Sequence, residues 1–127
     1  MPLTSPSVLQ PQRRLVAVVV FEGVSPFHLS VPCVVFGEGL EPDNPFEIVV
    51  CSVDPAPVRT SAGFSLTALR SLRALQKAEV VIVPSWRDIN ERPPEALLRA
   101  LRAAHARGAI IVGLCLGSHV LAEAGLL

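Results

Sequence analysis

Ala109-Ile110-Ile111-Val112-Gly113-Leu114-Cys115-Leu116-Gly117 is the stretch whose reading decides the fold. Four apolar residues read as a strand, Ser118 to Ala124 beyond them read as a helix, and the cysteine sits where one becomes the other. A sharp strand-to-helix turn strains the backbone of its central residue and crowds the positions two before and two after it. Small residues are required there, and both are glycine. Backbone amides opening the following helix carry partial positive charge, which favours a thiolate over a thiol. This pattern predicts a nucleophile elbow with Cys115 at its centre. The alternative is a buried apolar cysteine, since free cysteine is among the most buried residue types. Five matching positions in the right context favour the elbow.

Working outward, Leu15 to Phe21, Phe46 to Cys51 and Val80 to Val83 repeat the same apolar, β-branched signature of strands buried on both faces. Helices are expected between them. Ser25-Pro26 supplies an N-cap and first helical residue for a helix reaching about Phe36, closed by Gly37, with Pro32 kinking it or moving its start. Ser71 to Ala78 reads as a short helix. Pro93-Pro94 opens a firmer one that ends before Gly108, with Leu97, Leu98, Leu101 and Ala104 on one face and a Glu95–Arg99 pair on another. Strands alternating with helices predict an α/β fold, a doubly wound, mostly parallel sheet with helices on both faces. Val58-Arg59-Thr60 and Phe64-Ser65-Leu66 around Ala62-Gly63 read as a hairpin beside it. Residues 1–13, with three prolines and no apolar period, read as a disordered N-terminal tail before an α/β domain over 14–127. Nothing after Gly125-Leu126-Leu127 covers the remaining sheet, so the domain reads as incomplete at its C-terminus.

Composition narrows the function classes. The 127 residues, 50% of them hydrophobic, suit one domain core. Eleven basic residues balance eleven acidic ones, so no global field draws the chain to nucleic acid or an anionic membrane. Mean hydropathy is positive at +0.50, yet every apolar run is of strand length, well short of the ~20 residues that span a bilayer. No signal peptide is legible, and the expected location is the cytoplasm. Cys33, Cys51 and Cys115 are widely spaced and odd in number, with neither disulfide nor metal-site spacing. Reduced thiols are expected, with Cys33 and Cys51 as core fillers and no metal or cofactor.

Ligands of open α/β sheets sit beyond the carboxyl ends of the strands. The loops Glu22 to His28 and Pro84 to Asn90 should therefore converge on the Cys115 turn. His28 is a candidate lining residue. His119, one helical turn after Cys115, could face the same space or pack on its helix. Trp86 is either a stacking wall for a ligand or a ring buried under its loop, with a partner for its N–H. His105 and the Arg99, Arg102 and Arg107 group read as a solvated helix surface.

These residues together resemble the ThiJ/PfpI-like superfamily of class I glutamine-amidotransferase-like folds. The likeness runs from Leu15 to Leu127. It is carried by Val18-Val19-Val20-Phe21-Glu22-Gly23 leading into His28 to Phe36, by Val81-Ile82-Val83-Pro84-Ser85-Trp86, and most specifically by Gly113-Leu114-Cys115-Leu116-Gly117-Ser118-His119-Val120-Leu121-Ala122-Glu123-Ala124-Gly125-Leu126-Leu127. The last stretch is most similar to the branch in which this domain is the N-terminal sensor of AraC-type transcription regulators, followed by a helix-turn-helix domain. The resemblance implies that Cys115 is the elbow cysteine and that the Leu116 and Trp86 amides form an oxyanion or ligand-anion site. It also implies homodimers, although no stripe in the sequence marks an interface.

Two departures matter. Enzymes of the superfamily usually carry glycines where this chain has Ser85 and Trp86, so the indole should narrow the pocket. They also place a carboxylate where this chain has His28, and a histidine cannot play that part at neutral pH, although as imidazolium it can pair with a thiolate. Isonitrile hydratase-like members follow the cysteine with threonine, where this chain has Leu116. The sequence therefore favours a ligand-sensing domain. Its small-molecule site is formed by Cys115, Leu116, Trp86, Ser85, His28 and His119, with DNA bound only by a further C-terminal domain. The alternative is a cysteine-dependent hydrolase, hydratase or glyoxalase-like enzyme with Cys115 as its catalytic nucleophile.

Overall fold

The computed structural model describes residues 12–67 and 69–127. The expected tail therefore lies, but for residues 12 and 13, outside the described residues. Four parallel strands make the central sheet: β1 (Arg14–Val20), β2 (Phe46–Ser52), a further strand at Val80–Val83 and the last at Ile110–Gly113. Between β2 and Val80 lies a two-stranded antiparallel hairpin of β3 (Val58–Arg59) and β4 (Ser65–Leu66). The later sheet strands are thus β5 (Val80–Val83) and β6 (Ile110–Gly113), and the order across the sheet is β2-β1-β5-β6. Register is set by Val16 opposite Ile48 on one side and Val80 on the other, and by Val80 opposite Ile110.

The continuous apolar runs are explained by burial on two faces. Along β1, Ala17 and Val19 enter one core cluster while Val16 and Val18 enter the other; along β5, Val81 and Val83 part from Ile82 in the same way. The larger cluster is closed by α2 (Glu95–Ala106), through Leu97, Leu98, Leu101 and Ala104, and by α3 (Gly117–Glu123), through Val120 and Leu121. The smaller cluster, on the opposite face, is covered by α1 (Pro26–Val35) and the residue after it, through Leu29 and Phe36.

The local signals act largely as the sequence suggests. Ser25 caps α1, its hydroxyl accepting from the His28 N–H, and Pro26 opens the first turn. The helix runs on through Pro32, which is buried and donates nothing to the His28 carbonyl. At Gly37 a methyl group would collide with the Cys33 carbonyl, so only glycine lets the chain leave α1 so closely.

Three expectations are corrected. Ser71 caps a 3-10 turn over Leu72–Gln76 rather than an α-helix, because five residues are too few to establish an i→i+4 ladder and the three-residue spacing of Leu72 and Leu75, both packed on the core, equally suits a 3-10 turn. Glu95 pairs with Arg102 at 2.8 Å and Arg92 at 3.3 Å, not with Arg99. Two turns along the same face and the preceding loop bring those guanidiniums nearer. An apolar stripe does exist after all: Phe27, Val31, Val34 and Val35 are exposed on one side of α1. It escapes the sequence because α1 is apolar on its inner side too, so no period stands out.

Candidate functional site

The turn between β6 and α3 is built by its glycines. Cys115 has φ +51°, and among the described residues it is the only non-glycine with positive φ. That conformation is sparsely populated for a side chain of this kind and persists only where the surroundings impose it. They do. Gly117 lies so close to the end of β5 that a methyl group there would collide with the Val83 carbonyl and reach 3.4 Å from the Ser85 nitrogen. A methyl on Gly113 would lie 2.9 Å from the Ser118 nitrogen. Leu114 N–H donates to Val83 O at 3.0 Å and Gly117 N–H to Leu114 O at 2.7 Å, locking the turn against β5. The Cys115 carbonyl accepts from Ser118 Oγ at 2.9 Å and from the Ser118 N–H at 3.2 Å. The cysteine is thereby presented outward, and Cys115, Leu116 and Ser118 form an exposed shelf.

The other thiols differ. Cys51 in β2 is fully buried and its S–H points to the Val18 carbonyl at 3.7 Å; burial pushes its pKa up to about 12. Cys33 on α1 is half-buried and its thiol is likewise pushed up by burial.

The three loops expected to converge are tied together. Arg87 Nη1 donates to the Glu22 carbonyl at 2.7 Å, joining the loop after β1 to the loop after β5, and Gly117 brings the Cys115 turn against Ser85. Ser85 and Trp86 are both buried. The Trp86 indole does not wall the shelf: its N–H donates to the Glu91 carbonyl at 3.0 Å, and its ring tilts on Phe21 with centroids 4.8 Å apart. Arg87 lies over the indole at 4.7 Å while its guanidinium holds the Glu91 carboxylate. The hydrogen bonds between the two side chains, with their charge attraction, raise the Arg87 pKa and lower that of Glu91. What Trp86 can offer the site is its backbone. Among the described residues, neither the Trp86 nor the Leu116 N–H has a hydrogen-bond partner.

The histidines take different places. His28 is half-buried, with Nδ1 2.9 Å from the Ser25 hydroxyl and its ring edge-on to Phe27, so its polar contact is with its own helix cap. His119 lies on α3 four residues after Cys115 and is half-buried, and its Nε2 is buried without a partner among the described residues. His105 is exposed on α2. Arg107 is committed to the Leu75 and Ala78 carbonyls at 2.6 and 3.0 Å. Among the described residues no three His, Cys, Asp or Glu side chains gather as metal ligands.

Sequence reasoning missed Glu22. Its carboxylate accepts from the Arg59 N–H at 2.8 Å and from Arg59 Nε at 3.0 Å, which hold it below the usual carboxylate range, while its own N–H donates to Asp54 at 3.0 Å. One residue thus links the loops after β1 and β2 to the β3–β4 hairpin. No local motif announces this, because the partners lie 32 and 37 positions away.

Known proteins share this architecture. A Streptomyces lividans protein, described as an uncharacterized protein in the cpoL 5′ region, is 31% identical over 113 residues, covering 88% of this chain and 80% of the relative. An AraC family transcriptional regulator from Pseudomonas putida superposes with a TM-score of 0.71 at 26% identity, over 90% of this chain and 62% of that one. A ThiJ/PfpI family protein from Pseudomonas syringae gives a TM-score of 0.76 at 23% identity, over 100% of this chain and 53% of that one. The chain thus spans between half and two thirds of these two solved chains. The DJ-1/PfpI family model matches residues 14–127, which takes in every strand and helix described above, and the chain belongs to the DJ-1/PfpI family.

Proposed function

We propose that this chain is the ligand-sensing domain of an AraC-type transcription regulator, working in the cytoplasm and holding a small molecule on the shelf around Cys115. The observation that carries the reading is the likeness to the Pseudomonas putida regulator, 26% identical over 90% of the chain. A putative transcriptional regulator from Vibrio parahaemolyticus, with a TM-score of 0.76, adds to it at the level of fold. Supporting this reading are the strained, exposed thiol of Cys115 and the N–H groups of Leu116 and Trp86, which have no hydrogen-bond partner among the described residues; in it, the buried and unpartnered Nε2 of His119 would complete the binding groups. Such donors suit a small molecule with an anionic or carbonyl oxygen. Where the superfamily's enzymes place a carboxylate, His28 is bonded to Ser25 instead, which favours binding over turnover. Contact with DNA falls to residues outside these 127, given the zero formal net charge.

The second reading, a cysteine-dependent hydrolase, hydratase or glyoxalase-like enzyme, is supported by Cys115 itself, exposed and held at positive φ. One experiment separates the two. The purified chain is given ester, isonitrile and α-oxoaldehyde substrates, and in parallel a panel of small organic acids in a thermal-shift assay. The sensor reading expects saturable stabilisation by a member of the acid panel, reduced in Cys115→Ser, with no turnover. Turnover abolished by Cys115→Ser would overturn it in favour of the enzyme.

A further inference from the structure

α2 has a third side besides its buried leucines and its outward Glu95, Arg99 and Arg102. Ala96, Ala100, Ala103 and the C-cap Arg107 follow one another at i, i+4, i+7 and i+11, a single row along the helix. The row faces the 3-10 turn over Leu72–Gln76, and between the two runs a groove of about 420 Å³ whose far wall is Leu72 and Leu75. Small-molecule sites measure roughly 300–1,000 Å³. Charge sets this groove apart from an ordinary seam, for its polar lining is Arg73, Gln76 and Arg107, with no carboxylate. Elsewhere Arg14, Arg59, Arg87, Arg92 and Arg102 each hold a glutamate. Glu79 and Glu95, which flank the groove in sequence, are taken by Arg14 and by Arg92 and Arg102. Among the described residues Arg73 bonds only through its backbone N–H, to Ser71 Oγ, so its guanidinium is without a partner. Arg107 uses only Nη2, on the Leu75 and Ala78 carbonyls at 2.6 and 3.0 Å, and thereby fastens the turn to the end of α2 and fixes the shape of the groove.

We propose that this groove binds an unbranched aliphatic carboxylate, its tail between the alanine row and Leu72 and its carboxylate on Arg73. Three arguments select that ligand. First, a guanidinium beside an apolar floor leaves a positive field unneutralised, so an anion gains there where an alkane or an alkylamine does not. Second, inorganic phosphate or a very short acid leaves the alanines and leucines bare to water, so the anion carries an apolar tail that covers them. Third, the floor from Ala96 to Ala103 rises about 10 Å, which suits a straight chain of about eight carbons. A docking helix, itself about 10 Å across, overfills a groove of this volume. The groove shares no residue with the Cys115 shelf, and the inference is independent of what Cys115 binds.

Isothermal titration calorimetry of the 127-residue chain with octanoate, kept below its micelle concentration, tests it. The expected result is saturable binding of one octanoate per chain, weakened at least about tenfold in Arg73→Glu. Ala103→Phe, whose ring fills the groove from its exposed edge, weakens it as much, and both variants keep the wild-type circular dichroism. Butyrate, with the same head and a shorter tail, and octylammonium, with the same tail and the opposite charge, each bind at least about tenfold more weakly than octanoate. Cys115→Ser on the shelf and Val34→Glu on the exposed side of α1 leave octanoate binding unchanged. A wild-type chain without saturable octanoate binding overturns the proposal. So does undiminished affinity in a folded Arg73→Glu or Ala103→Phe variant, or butyrate or octylammonium binding as tightly as octanoate. Binding lost in Cys115→Ser or in Val34→Glu also overturns it, and moves the acid to the shelf or to α1.

Discussion

Cys51 and Cys115 are the same residue in two settings. Cys51 lies in a strand, flanked by Val50 and Ser52, fully buried and directed at a carbonyl. Cys115 lies one residue beyond Leu114, between two glycines, exposed, with its backbone in the left-handed region. One thiol belongs to the packing and the other to the surface, and the neighbouring residues decide which. Cys51 lies with Val49 in the larger core cluster, on the covered face of the sheet, which leaves its thiol no path to water. Glycines at two before and two after permit a turn that turns it out.

That contrast predicts a ladder of effects. Gly117→Ala should be the most damaging, costing about 3 kcal/mol or more in chemical denaturation, because its methyl group meets the Val83 carbonyl, which is itself fixed in β5. A loss below 1 kcal/mol would mean the turn is not held as described. Cys51→Ser follows, at about 1–2 kcal/mol, since a buried hydroxyl is costlier than a thiol where its partner is as distant as the Val18 carbonyl.

Next comes alkaline pH. The folded Cys51 thiol titrates at about 12 and an unfolded one near 8.5, so the folded state binds the extra proton between them. Stability is full below about pH 8 and falls as pH rises through that window; Cys51→Ala should fall less steeply. At the acid end the sign reverses. Glu22 has a depressed folded pKa, so its contribution is present above the unfolded carboxylate range and is lost as pH falls through the folded value. Being exposed, it yields a small effect, read as a difference between wild type and Glu22→Gln that disappears in acid. Smallest of all, Cys115→Ser should change stability by less than about 0.5 kcal/mol, because glycines and not sulfur shape the turn. A large loss would assign Cys115 to the core with Cys51.

The strands, α2 and the Cys115 turn were legible because each is written locally, in β-branched runs, in a leucine period, or in paired glycines. What was not legible depends on partners distant in sequence. Glu22 holds Arg59 and Asp54 only after the fold brings them near. Trp86 had two readings until the Glu91 carbonyl took its N–H. The outward stripe of α1 was hidden because its inner side is equally apolar, and Leu72 to Gln76 was too short for its helix type to be set by period.

The most direct test of the account is the alkylation rate of each cysteine in the folded chain at neutral pH, followed by peptide mass spectrometry. The account predicts that Cys115 is modified first, Cys33 later, and Cys51 only as fast as the protein unfolds. Labelling of Cys115 no faster than that of Cys33 or Cys51 would contradict it, and would remove the shelf as a functional site.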